Sequence, residues 1–329
     1  MHSRMRSTAR SRWPSRMPAV YLRTAMLMST CVTIQVVGRG ADRQHAAERR
    51  ENVERAFRWF RRVEECCTRF DARSELMQLT TRIGVPVPVS ALLYEAVQFA
   101  VRVAEESEGA FDPTIGHSME TRGFNREYRT GQVVQTDLAD RTVSDPPGAV
   151  SYRDVRLDPA RKTITLGRPL VLDLGAVAKG LAIDLAAREL SPLENYAIDA
   201  GGDLYVAGCN LDGAPWSIGI RHPRRDGHLI DSLRVSNLAV CTSGDYERRS
   251  SGDGAHHMLD PRTGAAADAV ASTTVVAPTA MVADALATAA FVLGPTAGMQ
   301  LLERQGVDGL MVSPTLERYS TRDMGSCGA

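Results

Sequence analysis

Between Glu48 and Phe70, apolar residues recur at three- and four-residue steps. Val53, Phe57, Phe60, Val63 and Cys67 form one stripe, and Arg and Glu fill most of the remainder. That period predicts an amphipathic helix with its stripe turned to a core. Ser90 carries a hydroxyl suited to cap a second helix running to about Glu108, with Gly109 as its stop. Upstream, Cys31–Val37 reads as a strand. From Val155 the pattern becomes strand-like, at Val155–Leu157, Thr163–Leu166 and Pro169–Leu172. A helix from about Ala176 to Leu190 follows, then short strands near Tyr196–Asp199, Leu204–Ala207, Trp216–Ile220, Leu233–Val235 and Ala239–Thr242. A strand at Ser272–Val276 leads into a helix from about Thr279 to Leu293, stopped by Gly294-Pro295. A last helix over 296–305 and a strand at Gly309–Val312 close the pattern. Residues 112–150 are rich in turn residues and read as an excursion over a site. Strands and helices mix without regular βαβ alternation, so the expected class is α+β, with mixed, mostly antiparallel sheets and flanking helices.

Composition narrows the picture. The chain has 329 residues, 43% hydrophobic and 24% charged, with 39 basic and 39 acidic side chains. A balanced charge speaks against a nucleic-acid partner. The six cysteines form no CxxC pair and are expected to be reduced, mostly buried thiols. No run of about 18 apolar residues is seen, so no transmembrane helix is expected. The start of the chain differs from the rest. Arg4, Arg6, Arg10, Arg12 and Arg16 precede an apolar run, Pro18 to Met28, that Arg23 interrupts and that has no clear cleavage site. Residues 1–19 are read as a disordered leader or extension, 20–323 as one domain and 324–329 as a tail. Without a clear signal peptide, a cytoplasmic location is favoured.

Several segments carry candidate chemistry. Asp284 and Thr288 are four apart on a predicted helix and share a face. Among small neighbours (Ala283, Ala285, Ala287, Ala289, Ala290) they form a hard oxygen pair suited to Mg²⁺, which takes few protein ligands and shares substrate phosphates. The alternative is an exposed Asp beside a Thr that bonds back to its own helix. Asp173-Leu-Gly-Ala-Val-Ala-Lys-Gly180 stands where a strand turns into a helix, a place where backbone N–H groups face anions. Lys179 would reach a phosphate and Asp173 a ribose or base edge, or they are a cap and a surface charge. The spacing is not that of a P-loop. His256 and His257 are adjacent, so on a strand they point to opposite faces and one at most serves a given site as a base. Neither has another His or Cys at zinc-ligand spacing. Gly201-Gly202-Asp203 and Thr242–Tyr246 read as ordinary turns.

Taken in order, these segments resemble the ApbE family of FAD:protein FMN transferases. The matching stretches are Ser74-Glu-Leu76, Gly109-Ala-Phe-Asp-Pro-Thr114, Asp173–Gly180 with Asp184, and Ala200-Gly-Gly-Asp203. Trp216–Ile220, Thr242-Ser-Gly-Asp-Tyr-Glu247, His256-His257 through Gly264, and Ala283-Asp-Ala-Leu-Ala-Thr288 continue the series. The resemblance covers roughly residues 20–323 and implies an ApbE-like flavin transferase fold. It implies Mg²⁺ held by Asp284, Thr288 and the main-chain carbonyl of Ala176. FAD, the substrate, is expected on Met28, Ala110, Phe111, Asp112, Asp173, Lys179 and Met258. His257 is implied as the catalytic base, with Lys179 assisting. The sequence departs from the family at Ser29, where Gly is usual, at Asp199 and Thr80, where Asn is common, and at Ala255, where Tyr is frequent.

The implied reaction splits FAD, attaches FMN through a phosphoester to a Thr or Ser hydroxyl of an acceptor protein, and releases AMP. Two other readings use the same residues: an FAD pyrophosphatase yielding FMN and AMP, and a non-catalytic flavin carrier. Many relatives are exported, so membrane association or export stays open beside the cytoplasmic expectation.

Overall fold

The computed structural model describes residues 18–39, 43–127, 130–136, 150–247 and 256–321. The expected leader up to residue 17, Ala255, Cys327 and the 324–329 tail lie outside them.

The chain opens with a hairpin of β1 (Pro18–Leu27) and β2 (Thr30–Arg39), Leu27 pairing with Thr30. The two-residue loop between them, Met28-Ser29, has φ of 51° and 61°. Positive φ at both positions is the loop geometry that matches the twist of paired strands. β1 was not expected from the sequence, because Arg23 breaks its apolar run. Arg23 is half-buried: its guanidinium lies 5.2 Å from the Phe57 ring centroid and pairs with Glu54.

Helix α1 (Arg43–Cys67) follows, with Val53, Phe57, Phe60, Val63 and Cys67 all buried, as the period required. Ser74 caps the short α2 (Glu75–Thr80), which the pattern had not revealed. After β3 (Val87–Pro88), Ser90 caps α3 (Ala91–Glu106), accepting from the Leu93 N–H at 3.2 Å. The excursion holds α4 (Gly116–Thr121) and returns to β4 (Val155–Asp158) and β5 (Thr163–Leu166). The strand expected at Pro169–Leu172 is absent; that stretch makes one bridge, Val171 to Ile115. It runs into α5 (Gly175–Leu190), β6 (Tyr196–Ala200), β7 (Asp203–Ala207), β8 (Trp216–Arg221), β9 (Leu229–Val235) and β10 (Leu238–Gly244). Then come β11 (Ser272–Ala277), α6 (Ala280–Gln305), β12 (Asp308–Val312) and β13 (Arg318–Ser320).

The main sheet has eight strands in the order β1-β2-β6-β7-β10-β11-β12-β13, antiparallel at every step. On one face lie α5 and α6, with α1 packed on α5. Phe57, Phe60, Leu181, Ile183, Phe291 and Leu302 fill the core there. Each such side chain contributes about 1.5–3 kcal/mol on leaving water. The β8–β9 hairpin covers part of the other face, where Trp216, Ile220, Leu233 and Val235 close on Val206, Val240 and Val276. β3, β5 and β4 form a small separate sheet. The architecture is α+β, as expected.

The stop expected at Gly294-Pro295 is seen as a break inside α6, whereas the expectation of mostly buried cysteines is corrected. α6 is long and apolar enough to cross a membrane by length and composition. Here it is a core helix, sharply interrupted at Gly294 (φ 79°, ψ 179°) before Pro295. Of the five described cysteines, all free thiols, only Cys67 and Cys241 are buried.

Candidate functional site

A cavity of about 660 Å³ opens where the loop before α5, the middle of α6, the end of β10 and the excursion meet. That volume suits a ligand of cofactor size.

One end is built by two helices that cross closely. A Cβ on Gly180 of α5 would stand 2.5 Å from Met281 Cα and 2.6 Å from the Ala280 carbonyl oxygen, so only glycine permits this approach. Asp184, one helical turn further on, fixes the crossing by accepting from the N–H groups of Ala280 (2.7 Å) and Met281 (3.0 Å). Burial pushes its carboxyl up to about 6, against the pull of those two donors. The crossing sets Asp284 and Thr288 of α6 in the cavity wall with Ala176 and Lys179 of α5. The alanines flanking Asp284 do not leave open room around it. They are fully buried and let α6 pack against the sheet.

Asp284 is 5% exposed, and its Oδ2 is buried without a hydrogen-bond partner among the described residues. Burial raises its pKa; Lys179 opposes this, and the carboxylates of Asp203 and Glu247 add to it. Thr288 Oγ1 lies 3.1 Å from Ser243 Oγ. Lys179 pairs with Asp203, which is 2% exposed and accepts the Thr242 N–H at 3.1 Å. Burial alone would lower the Lys179 pKa, but Asp203 and Asp284 hold it above the ordinary value, so the ammonium stays charged. Asp203, read from sequence as part of a turn, is thus a buried counter-ion.

This donor set fits a magnesium ion. A buried carboxylate oxygen without a partner costs free energy unless a proton or cation satisfies it. One carboxylate, a hydroxyl and a main-chain carbonyl are hard oxygen donors, too few for a closed cage and suited to an ion that shares phosphate oxygens. Among the described residues no three His, Cys, Asp or Glu side chains gather as a metal cluster.

The rest of the wall is largely apolar. Ala110, Phe111 and Met258 are buried there, beside Phe70 and Phe124. Asp112 shapes this wall from within: its Oδ1 accepts from the N–H and hydroxyl of Thr114, both at 2.8 Å, and its Oδ2 from the Tyr152 N–H at 3.0 Å. Burial raises its pKa despite those donors. Asp173 Oδ1 accepts from the Gly175 N–H at 2.8 Å, tying the loop to the start of α5. The histidines diverge. His256 turns away, its Nε2 3.1 Å from Asp268 Oδ1, whereas His257 lines the cavity with its ring centroid 6.3 Å from that of Phe124. Met28 sits in the hairpin loop, its N–H donating to Glu64 Oε1 at 3.1 Å; the adjacent Ser29, rather than Met28, lines the cavity.

Among the wall residues that the sequence reading did not name as site residues are Arg69, Phe124, Ser243 and Glu247. Ser243 falls within the segment read as a turn, and Glu247 closes the stretch that resembles the family. Arg69 and Phe124 lie in irregular chain, without a spacing that marks them.

Comparison with known proteins identifies the family of the chain. A profile of the ApbE family matches residues 28–311. The chain is similar to an FAD:protein FMN transferase of Haemophilus influenzae, 30% identical over 263 residues, covering 77% of this chain and 75% of that protein. A second FAD:protein FMN transferase, from Treponema pallidum, is 32% identical over 321 residues, covering 89% of this chain and 84% of that protein. The crystal structure of an ApbE protein from Thermotoga maritima superposes with a TM-score of 0.81 at 30% identity, covering 94% of this chain and all of that one.

Proposed function

The chain belongs to the ApbE family, and on that premise we propose that it is an FAD:protein FMN transferase that moves the FMN half of FAD onto a hydroxyl of a second protein. One observation carries the reading: a buried, unpartnered Asp284 oxygen shares a cavity with Lys179, His257 and a wall of apolar side chains. A charged end and an apolar end in one cavity suit a ligand with a pyrophosphate and a flat ring system.

In this reading Asp284, Thr288 and the Ala176 carbonyl would hold Mg²⁺, which when bound offsets charge on the pyrophosphate. Lys179, kept charged by Asp203 and Asp284, donates to a phosphate oxygen and balances charge on the departing AMP. His257 takes the proton from a Thr or Ser hydroxyl of the acceptor. The freed oxygen bonds to the phosphorus of the FMN half, the anhydride P–O bond breaks, and its electron pair leaves with AMP. Ala110, Phe111 and Met258 provide surface for the flavin, Asp112 and Asp173 shape the loops around it, and Met28 supports the turn that presents Ser29.

The test is AMP release from FAD and Mg²⁺ with and without candidate acceptor proteins. Transfer requires release that depends on the acceptor. Equal release without acceptor would replace this reading by hydrolysis, and tight FAD binding with no release by a carrier role.

A further inference from the structure

The guanidinium of Arg69 is held at two of its three nitrogens and left open at the third. Nε donates to Asp173 Oδ2 at 2.7 Å, and Nη2 donates to the main-chain carbonyl of Phe124. The group stacks on Phe70, with Cζ 4.3 Å from the ring centroid. Its side chain is only 5% exposed and forms part of the cavity wall. Nη1 is buried there with no acceptor among the described residues. A buried donor without an acceptor carries its full desolvation penalty, which a ligand acceptor in the cavity would relieve.

We propose that Arg69 Nη1 donates a hydrogen bond to a ring carbonyl oxygen of the isoalloxazine of bound FAD and thereby fixes where the flavin lies. The inference rests on the flavin reading above. Two features favour a ring carbonyl over a phosphate. The guanidinium lies over the Phe70 ring, and Phe70 and Phe124 both line the wall, which suits a flat ring. Its charge is also already balanced by Asp173, and that carboxylate would repel a phosphate placed beside it. What remains is a directed donor with fixed geometry, the property that distinguishes Arg from Lys.

The experiment measures binding of riboflavin, FAD and Mg²⁺-ADP to the full chain and to its Arg69→Met and Arg69→Lys variants, with thermal melting as a check on folding. It adds the vibrational spectrum of the bound riboflavin carbonyls. Arg69→Met is expected to weaken riboflavin and FAD by about tenfold or more and to leave Mg²⁺-ADP unchanged. In Arg69→Lys, a cation remains for Asp173, yet the carbonyl stretch should move back toward that of free riboflavin. Loss of Mg²⁺-ADP affinity with riboflavin retained would overturn the proposal in favour of a phosphate contact. A uniform loss for all three ligands would overturn it in favour of a purely structural arginine, and unchanged riboflavin binding would overturn it outright. If the unaltered chain binds neither riboflavin nor FAD, the flavin reading itself falls, a result distinct from the others.

Discussion

Lys179 and Asp203 form an ion pair at the charged end of the cavity, although they come from different layers of the fold, the first turns of α5 and the start of β7. The pair holds the ammonium beside Asp284 and keeps it charged. Removing one partner of a buried pair leaves the other uncompensated, at a cost of about 3–5 kcal/mol. Asp203→Leu is therefore expected to destabilise the protein by about 3 kcal/mol in urea unfolding. The double variant Lys179→Met, Asp203→Leu should recover much of that stability and none of the transfer activity, which separates the two roles of the pair.

The Gly180 crossing offers a second test. The atoms that an added Cβ would meet are backbone atoms of α6, which cannot rotate away. Gly180→Ala is expected to cost about 1–3 kcal/mol. It should also weaken Mg²⁺ binding, measured by calorimetry, because α6 carries Asp284 and Thr288.

Asp184 gives the protein a pH dependence of defined sign. Its folded pKa of about 6 lies above the ordinary 3.8, so the folded chain binds this proton more tightly than the unfolded one. Stability from this group is then greatest below about pH 4 and falls as pH rises to about 6. Asp184→Asn should flatten that fall, on the order of 1–2 kcal/mol across the window. Chemical unfolding at pH 4, 5, 6 and 7 measures it. A wild-type slope that persists in the variant would assign the effect to another group.

Ser29 occupies the second position of the β1–β2 loop at φ 61°, a conformation glycine adopts without the strain of a Cβ. The glycine that the resemblance implies at this position would have that physical reason. Ser29→Gly is expected to raise stability by about 0.5 kcal/mol, the relief of strain partly offset by a more flexible unfolded chain. A small rise in melting temperature checks it.

How much of this could be read in the sequence depended on the kind of signal. α1 was legible because Val53, Phe57, Phe60, Val63 and Cys67 keep a helical period, and α3 because Ser90 caps it. β1 was hidden because the charged Arg23, half-buried over Phe57, interrupts its apolar run. The Pro169–Leu172 stretch looked like a strand because Leu170, Val171 and Leu172 are buried; burial with a single bridge to Ile115 gives the same composition. At the site, Asp284 and Thr288 could be paired from their spacing alone. Asp203 could not be assigned, since nothing local to a Gly-Gly-Asp turn shows that its carboxylate meets Lys179 of α5. Arg69 lay beyond reach for a related reason: its partners, Asp173 and the Phe124 carbonyl, are 104 and 55 residues away.

The central claim is that Asp284 helps hold the metal with which FMN moves from FAD to a protein hydroxyl. Its most direct test is the intact mass of an acceptor protein from the same genome after incubation with FAD and Mg²⁺, using the unaltered chain and Asp284→Ala. The account predicts an FMN-sized mass gain on a Thr or Ser with the unaltered chain, lost on chelation of Mg²⁺. It predicts none with Asp284→Ala, with thermal melting as the check that the variant folds. An adduct formed at the same rate by Asp284→Ala, or without Mg²⁺, would contradict it.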